Sequence, residues 1–440
     1  MLEPQREQIS ADELRDAWPV LSVQDRVDGF KSVPHTIADD FFLSLNAKEQ
    51  SDLILSLQPG ERRTWVRLLA PDDAVDVIQE TAVEQRDELL KEMDDATRRE
   101  VLALLAYAED DAGGLMNPRF ARVRPDMTVD EAISYLRRQT REKVETVYYA
   151  YVLDNEQRLL GVVSLRQLFQ AAGNRRIREV MSTDLVTAPE NMDQEALSRL
   201  FSEHGLMAIP VVDPQGKMKG IVTVDDIVDV VQEEATEDIQ KVGGMEALEA
   251  PYFEISFPRM VKKRAGWLTV LFLGEMLTAS AMAYFEHEIA RAVVLTLFIP
   301  LIISSGGNSG SQASTLVIRA LALGEVRLKD WWRVVRREFA SGLALGCILG
   351  VIGLVRILIW ERVFHTYGEH AVKIGVTVAL SLVGVVLWGT LSGSMLPFLL
   401  RKLGADPASA SAPFVATLVD VSGLVIYFTV ASAVLTGTLL

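Results

Sequence analysis

The chain changes its hydrophobic rhythm near residue 259. Before that point apolar runs are short and interrupted by charged residues. After it they gather into five long stretches, approximately Ala265–Phe285, Ala292–Ile318, Phe339–Trp360, Ile374–Leu400 and Pro413–Leu440. Each is long enough to cross a bilayer, which takes about 20 apolar residues of helix. Basic residues mark the direction. Lys262, Lys263 and Arg264 precede the first stretch, Arg327, Lys329, Arg333, Arg336 and Arg337 lie in the second connection, and Arg401 and Lys402 in the fourth. The first and third connections are poorer in net positive charge. By the positive-inside rule the N-terminal half lies in the cytoplasm and the C-terminus outside, which five crossings also require. The opening residues, MLEPQREQISADELRD, lack the apolar run of a secretory signal.

Two of the five stretches carry features that an anchor does not need. Ile299 to Ile318 reads IPLIISSGGNSGSQASTLVI, and Gly306, Gly307, Asn308, Ser309, Gly310 and Ser311 in its middle predict a break in the helix. A break leaves backbone groups unpaired, which is tolerated at membrane depth only within protein or beside a wet cavity. The last stretch holds one carboxylate, Asp420, about two turns in, roughly 10 Å of rise. An acid at that depth marks an ion path. Glu275, in the middle of the first stretch, reads either as a second such acid or as one hydrogen-bonded to a neighbouring helix. The pairs Gly342/Gly346 and Gly389/Gly393 have the spacing that lets helices approach closely.

The polar half shows two repeats. From Leu45 to Tyr107 a beat of about twelve residues places Asn46-Ala47, Gln58-Pro59, Ala70-Pro71 and Ala82-Val83 each ahead of a short amphipathic helix, a pattern that predicts a small α-solenoid. Asp72, Asp73 and Asp76 share one helix start, where capping and the helix dipole account for the first two better than for the third. Further on, Tyr151-Val-Leu-Asp154 with Gly161-Val-Val-Ser-Leu-Arg-Gln-Leu168 matches Val211-Val212-Asp213 with Gly220-Ile-Val-Thr-Val-Asp-Asp-Ile227. Each unit reads as helix, strand, turn, strand, helix. This resembles the tandem CBS module, in which a Thr or Ser and an Asp after the second strand often hold a nucleotide ribose. Thr223 and Asp226 fit that pattern; the first unit offers Ser164, but Gln167 stands where the acid belongs, which argues against an adenine nucleotide there. Val230 to Gly243 then reads as a helix with Glu233, Glu234, Glu237 and Asp238 crowded against one Lys.

Charge follows the same division. The 440 residues carry a net −16, but the part from Arg259 onward holds 16 Lys and Arg against 10 Asp and Glu, leaving 28 against 50 before it. So acidic a half argues against nucleic acid and against an anionic membrane surface as partner, and suits either a well-solvated surface or one that gathers cations. One cysteine, Cys347, excludes intrachain disulfides, and five scattered histidines offer no zinc or copper set. No nucleophile–base pair or P-loop appears, so the chain reads as no enzyme.

Together these parts resemble the MgtE family of bacterial magnesium channels. The sharpest motifs are Pro300-Leu-Ile-Ile-Ser-Ser-Gly-Gly-Asn-Ser-Gly-Ser-Gln312, Asp406-Pro407 and Ala416-Thr-Leu-Val-Asp-Val-Ser-Gly423. The resemblance implies a multidomain homodimer in the plasma membrane, in contact with lipid. It would comprise an all-α superhelical N-domain (1–114), an α/β tandem CBS module (115–229), an acidic connecting "plug" helix and linker (230–258), and an all-α membrane domain of five transmembrane helices (259–440). It implies magnesium as both substrate and regulator. Asp420 then matches the pore carboxylate, with Asn308, Gly306, Gly307, Ala416 and Thr417 around it. Asp406 matches the acid at the pore mouth that shares ions with Glu234, Glu237 and Asp238 of the plug helix. Glu195, Asp226, Asp229, Asp72 and Asp76 match regulatory magnesium ligands, while His204-Gly205 stands where relatives can carry an acid. Adenine nucleotide at Thr223, Asp226 and Ser164 is the remaining ligand the resemblance raises.

The donor chemistry is coherent on its own terms. Magnesium demands octahedral oxygen ligands and gives up water reluctantly, so a path for it presents carboxylates, hydroxyls and carbonyls to a hydrated ion. Oxygen donors do not separate magnesium from manganese or cobalt. A carrier of those ions, or a membrane-anchored CBS sensor with idle spans, are the competing readings.

Overall fold

The computed structural model of the chain describes residues 10–140, 144–248, 252–253 and 255–439. The polar start at 1–9 and part of the 230–258 linker lie outside the described residues. The chain divides into two units, Met1–Val231 and Gln232–Leu440.

In the first unit, α1 (Ala11–Ala17), α2 (Val23–Ser32) and α3 (His35–Leu43) lead into the repeating series α4 (Ala47–Ser56), α5 (Pro59–Val66), α6 (Pro71–Gln79), α7 (Val83–Glu92) and α8 (Asp95–Leu104). From α4 on, a helix starts every twelve residues, as the sequence beat requires. Local chemistry sets these starts: Asn46 and Glu49 form a reciprocal capping box, Pro59 and Pro71 occupy the first helical turn, and Asp94 caps α8. Arg62 and Arg86, two repeats apart, make the same pair of bonds. Arg62 donates to the carbonyls of Leu57 and Leu55, and Arg86 to those of Thr81 and Gln79, tying each helix to the loop before it. Trp18, Phe41, Phe42, Trp65 and Ile78 fill the interior.

Two like sheets follow. β1 (Arg122–Val123), α9 (Val129–Gln139), β2 (Tyr149–Leu153), β3 (Leu159–Ser164) and α10 (Leu165–Gln170) make the first unit of the module, with the short α11 (Ile177–Val180) after it. β4 (Ala188–Pro189), α12 (Gln194–His204), β5 (Ala208–Val212), β6 (Met218–Thr223) and α13 (Val224–Val242) make the second. In both sheets the first strand pairs parallel and the last antiparallel with the middle one, and the register slips at equivalent places, Val152/Leu153 and Val211/Val212. The apolar core of the helical series continues into the second unit of the module through Leu197 and Phe201 of α12 and Ile209 and Val211 of β5. The acidic connecting helix has no start of its own at residue 230. It is the continuation of α13, which begins directly at the end of β6 and stops before Gly243 and Gly244, the latter at φ +75°.

Among its described residues the second unit holds five helices long and apolar enough to cross a membrane. They are α14 (Phe257–Tyr284), followed by the short α15 (Glu286–Arg291); α16 (Ile299–Ala322), preceded by a 3₁₀ segment at Val293–Phe298; α17 (Trp331–Phe364); α18 (Ala371–Lys402); and α19 (Ala412–Leu435). The last ends at Leu435, short of the expected Leu440. α16, α18 and α19 pack together at the centre, α17 lies along α18, and α14 touches α19 while burying none of its residues.

The expected break in the second span is absent: α16 runs unbroken through Gly306, Gly307, Asn308, Ser309, Gly310 and Ser311. Its glycines serve contact instead. A Cβ on Gly389 of α18 would lie 2.3 Å from the Gly306 carbonyl oxygen, and one on Gly393 2.1 Å from that of Gly310. The two glycine pairs, each four residues apart, form one crossing where backbone meets backbone. Ser309 and Thr390 share a buried hydroxyl hydrogen bond of 2.7 Å beside it. Without side chains to hold the helices apart, dispersion between the backbones replaces the hydrophobic effect that lipid cannot supply. The second pair foreseen from sequence packs likewise, with Gly346 against Val383 of α18 and Gly342 against Leu387 and Thr390.

Candidate functional site

Asp420 lies in the middle of α19, half-buried. Val415, Val419 and Gly423 turn the adjoining face of the helix into the core. Toward α16 its Oδ1 stands 4.0 Å from where a Gly307 Cβ would be, and Ala416, one turn earlier, comes within 3.5 Å of the same point. Gly307 therefore opens α16 to this carboxylate, although its carbonyl is spent on the helix rather than freed by a break. On the other side α14 closes in at Gly274, whose missing Cβ would meet Thr417 Cγ2 at 2.9 Å. That approach brings the Glu275 carboxyl beside that of Asp420, close enough for the two charges to act on each other. The sequence left the role of Glu275 open, and the structure sets it on the same carboxylate. Asn308 is exposed on α16 and donates its amide to Ser304 Oγ at a long 3.4 Å, and Thr417 Oγ1 donates to its own helix at Pro413 O. Ser311 and Ser314 donate to the carbonyls of Ala412 and Ala410, fixing the chain where it enters α19.

A second constellation stands where α13 ends. Asp406 caps the short turn Pro407–Ser409 by accepting the Ala408 N–H at 2.8 Å, and its other oxygen accepts Lys241 Nζ at 2.6 Å. Lys241 also bridges to Glu237, one turn back on α13. Burial alone would depress the Lys241 ammonium, but its bonds to Asp406 and Glu237 outweigh this and hold it above the ordinary lysine range. Of the foreseen mouth residues, Asp406 and Glu237 thus meet, through a lysine. Glu234 and Asp238 lie half-buried on the same helix.

The third constellation is in the first unit. Asp72 is 8% exposed, and Asn117, with no exposure at all, donates one amide to both Asp72 Oδ1 (3.0 Å) and Glu145 Oε2 (2.7 Å). Burial, then the charges of Asp226, Asp73 and Glu145, push the Asp72 carboxyl well above the usual range. Asp226 is pushed up to about 7 by burial, against two hydrogen bonds from Thr223 that favour its charged form, with Asp225 and Asp73 adding repulsion. Asp73 is raised as well, by burial and then, against a backbone hydrogen bond, by the charges of Asp225 and Asp229. The structure therefore brings Asp72, Asp226 and Asp229 into one acidic neighbourhood. It leaves Asp76 exposed on α6 and gives Glu195 an ion pair with Arg199 at 2.8 Å. Asn117 and Glu145 were not foreseen, because no local pattern marks a residue whose partners are distant in sequence. Ser164 and Gln167 form a capping box at the start of α10, and Thr223 and Asp226 bond in the same way at α13, so each nucleotide candidate already has a partner within its own turn. Among the described residues no three His, Cys, Asp or Glu side chains are spaced to hold a metal ion. A hydrated magnesium needs only one or two.

These raised carboxyls give a signed prediction. The folded chain holds the Asp226 proton more tightly than the unfolded one, so without divalent ions its stability falls as pH rises from about 4 through about 7. Thermal melts of the chain in chelator between pH 5 and 8 should show this decline. Asp226→Asn, whose amide oxygen still accepts from Thr223, should flatten it.

Matches to known proteins span most of the chain. A family model described as a divalent cation transporter, MgtE, matches residues 299–430, one for the MgtE intracellular N domain matches 9–110, and CBS domains match 112–174 and 177–233. The chain is 40% identical to the magnesium transporter MgtE of Thermus thermophilus over 98% of its own length and 94% of that relative. It is 32% identical to that of Bacillus subtilis over 82% and 78%. The cytosolic domain of an Mg2+ channel MgtE, solved with ATP, aligns with 51% of this chain and 91% of its own, at 37% identity and a TM-score of 0.48.

Proposed function

Because the chain belongs to the MgtE family of divalent cation transporters, we propose that it carries magnesium across the bacterial plasma membrane and is closed by magnesium on its soluble side. The observation that carries this reading is the convergence of Asp420, Glu275, Gly307 and Ala416 among helices that are otherwise apolar. A carboxyl pair at that depth calls for a cation between or beside its members. In a homodimer with a two-fold axis, two copies of Asp420 would balance one divalent ion, and Asn308 and Thr417 would offer further oxygens to its water shell. The exposed apolar flank of α14 is then shared between lipid and the second copy. The N-terminal part of the chain faces the cytoplasm and the C-terminus the outside, following the basic connections.

Regulation follows from the acids of the soluble side, with the division of the chain at 114, 229 and 258 that the sequence suggests. Asp72, Asp226 and Asp229 repel one another unless cations or protons intervene. Magnesium there draws the acidic surfaces together, with Asp76 and Glu195 at the margin, and α13 is held against Asp406 through Glu234, Glu237 and Asp238. As magnesium falls the surfaces part and the path opens, so the ligand favours one of two states. Adenine nucleotide enters only as a ligand of the CBS module, where it would have to displace the turns made by Thr223, Asp226 and Ser164.

Limited proteolysis of Val230–Gly244, paired with conductance, tests the coupling. Magnesium should slow cleavage and lower conductance over the same concentration range. Equal cleavage and equal conductance with and without magnesium would leave a solvated acidic surface unconnected to the pore.

A further inference from the structure

Glu237 and Asp406 are both acids, and without a cation between them they would drive the end of α13 away from the Pro407 turn. In this structure the cation is part of the chain. Lys241 reaches Asp406 at 2.6 Å while also bridging Glu237, and both ends of the Asp406 interaction are partly shielded, with side-chain exposures of 28% and 38%. The surroundings fix this geometry. Asp406 is pinned by the Ala408 N–H. Val242, next to Lys241, packs onto the cluster of Ile318, Ala408 and Ala410. Gly244 then turns the chain at φ +75°, and a Cβ on it would lie 3.0 Å from the Trp267 ring and 3.1 Å from Pro413. Trp267 in turn donates Nε1–H to Ser411 Oγ at 3.1 Å. The last turn of α13 is thus seated on the entrance to α19 by one ion-pair bridge and a small apolar contact.

We propose that Lys241 is a built-in cation that keeps the end of α13 docked on Asp406 when no divalent ion is present. Opening at low magnesium is then a pivot of α13 about this seat rather than release of the whole helix. An ammonium carries three donors and can hold two carboxylates at once, as a hydrated divalent ion would, but with half the charge and on a tether. The seat therefore survives the loss of magnesium. Lys241 is a positioning residue: it meets no transported ion and acts through the helix it anchors. The proposal rests on the reading that α13 gates the path.

The test uses the full chain with Cys347→Ser and cysteines placed at Val242 and Ala410, and it measures the rate of disulfide formation between them. The parent should cross-link at similar rates in chelator and in magnesium. Lys241→Gln should slow cross-linking in chelator by about fivefold or more, the order expected for losing two partly exposed ion pairs, and recover when magnesium is added. Lys241→Arg, which keeps the charge, should retain the parental rate. Lys241→Met, which keeps the apolar stem, provides the same comparison if the Gln variant does not fold. A neutral variant that cross-links in chelator as fast as the parent overturns the proposal. If magnesium leaves conductance and the cleavage of Val230–Gly244 unchanged, the gating reading fails, while the comparison in chelator still decides whether Lys241 is the pin.

Discussion

Asp420→Asn should abolish selective divalent uptake while leaving the chain folded and inserted. The amide keeps the shape of the side chain, so the change removes charge and little else. At an effective dielectric of about 20, a hydrated ion roughly 5 Å from a carboxylate gains about 7 kcal/mol if divalent and about 3 kcal/mol if monovalent. Water in the path trims both. If about 1.4 kcal/mol of the difference survives, each carboxylate contributes a factor of about ten, and two in a dimer about a hundred. Magnesium flux against potassium flux in vesicles measures the ratio. A ratio unchanged in the Asn variant would move selectivity to another residue.

The second large effect concerns the fold of the membrane unit. Gly393→Val should destabilise it by about 1–3 kcal/mol or more, because even the first added carbon would stand 2.1 Å from the Gly310 carbonyl oxygen, and backbone cannot step aside as a side chain can. The expected result is a lower melting temperature in detergent and less monodisperse protein. Gly307→Val is the informative contrast. A Cβ there meets Ala416 at an ordinary 3.5 Å, so the fold should survive, but the added methyls crowd the face shared with Asp420, and magnesium flux should fall. Equal melting temperatures for Gly393→Val and the parent would contradict the backbone crossing, and normal flux through Gly307→Val would place the path elsewhere.

That contrast also shows what the sequence could and could not convey. The twelve-residue beat, the doubled strand pattern and the five apolar stretches were legible because each is a local periodicity, set by caps, prolines and burial within a few residues. The glycine-rich middle of α16 was misread as a break. Glycine favours either an opened backbone or a close helix contact, and only the facing Gly389 and Gly393 on α18 decide between them. Asp420 stood out by its lone depth, but its neighbour Glu275 was ambiguous until Gly274 was seen to admit Thr417. Asn117 left no trace, since its two carboxylate partners come from distant segments. Lys241 was counted as the one base among four acids, with nothing in the spacing to show that it reaches a residue 165 positions away. Contacts of that kind belong to tertiary structure, and composition alone does not reveal them.

Reconstituting the purified chain in liposomes that contain a magnesium-sensitive dye tests the central claim most directly. Magnesium uptake should exceed that of protein-free vesicles. It should persist in excess potassium, fall when magnesium is raised on the side of the soluble unit, and vanish in Asp420→Asn; parallel runs with manganese and cobalt rank the ions. Uptake no greater than in empty vesicles, or equal uptake by the parent and the Asn variant, would contradict a magnesium path through Asp420.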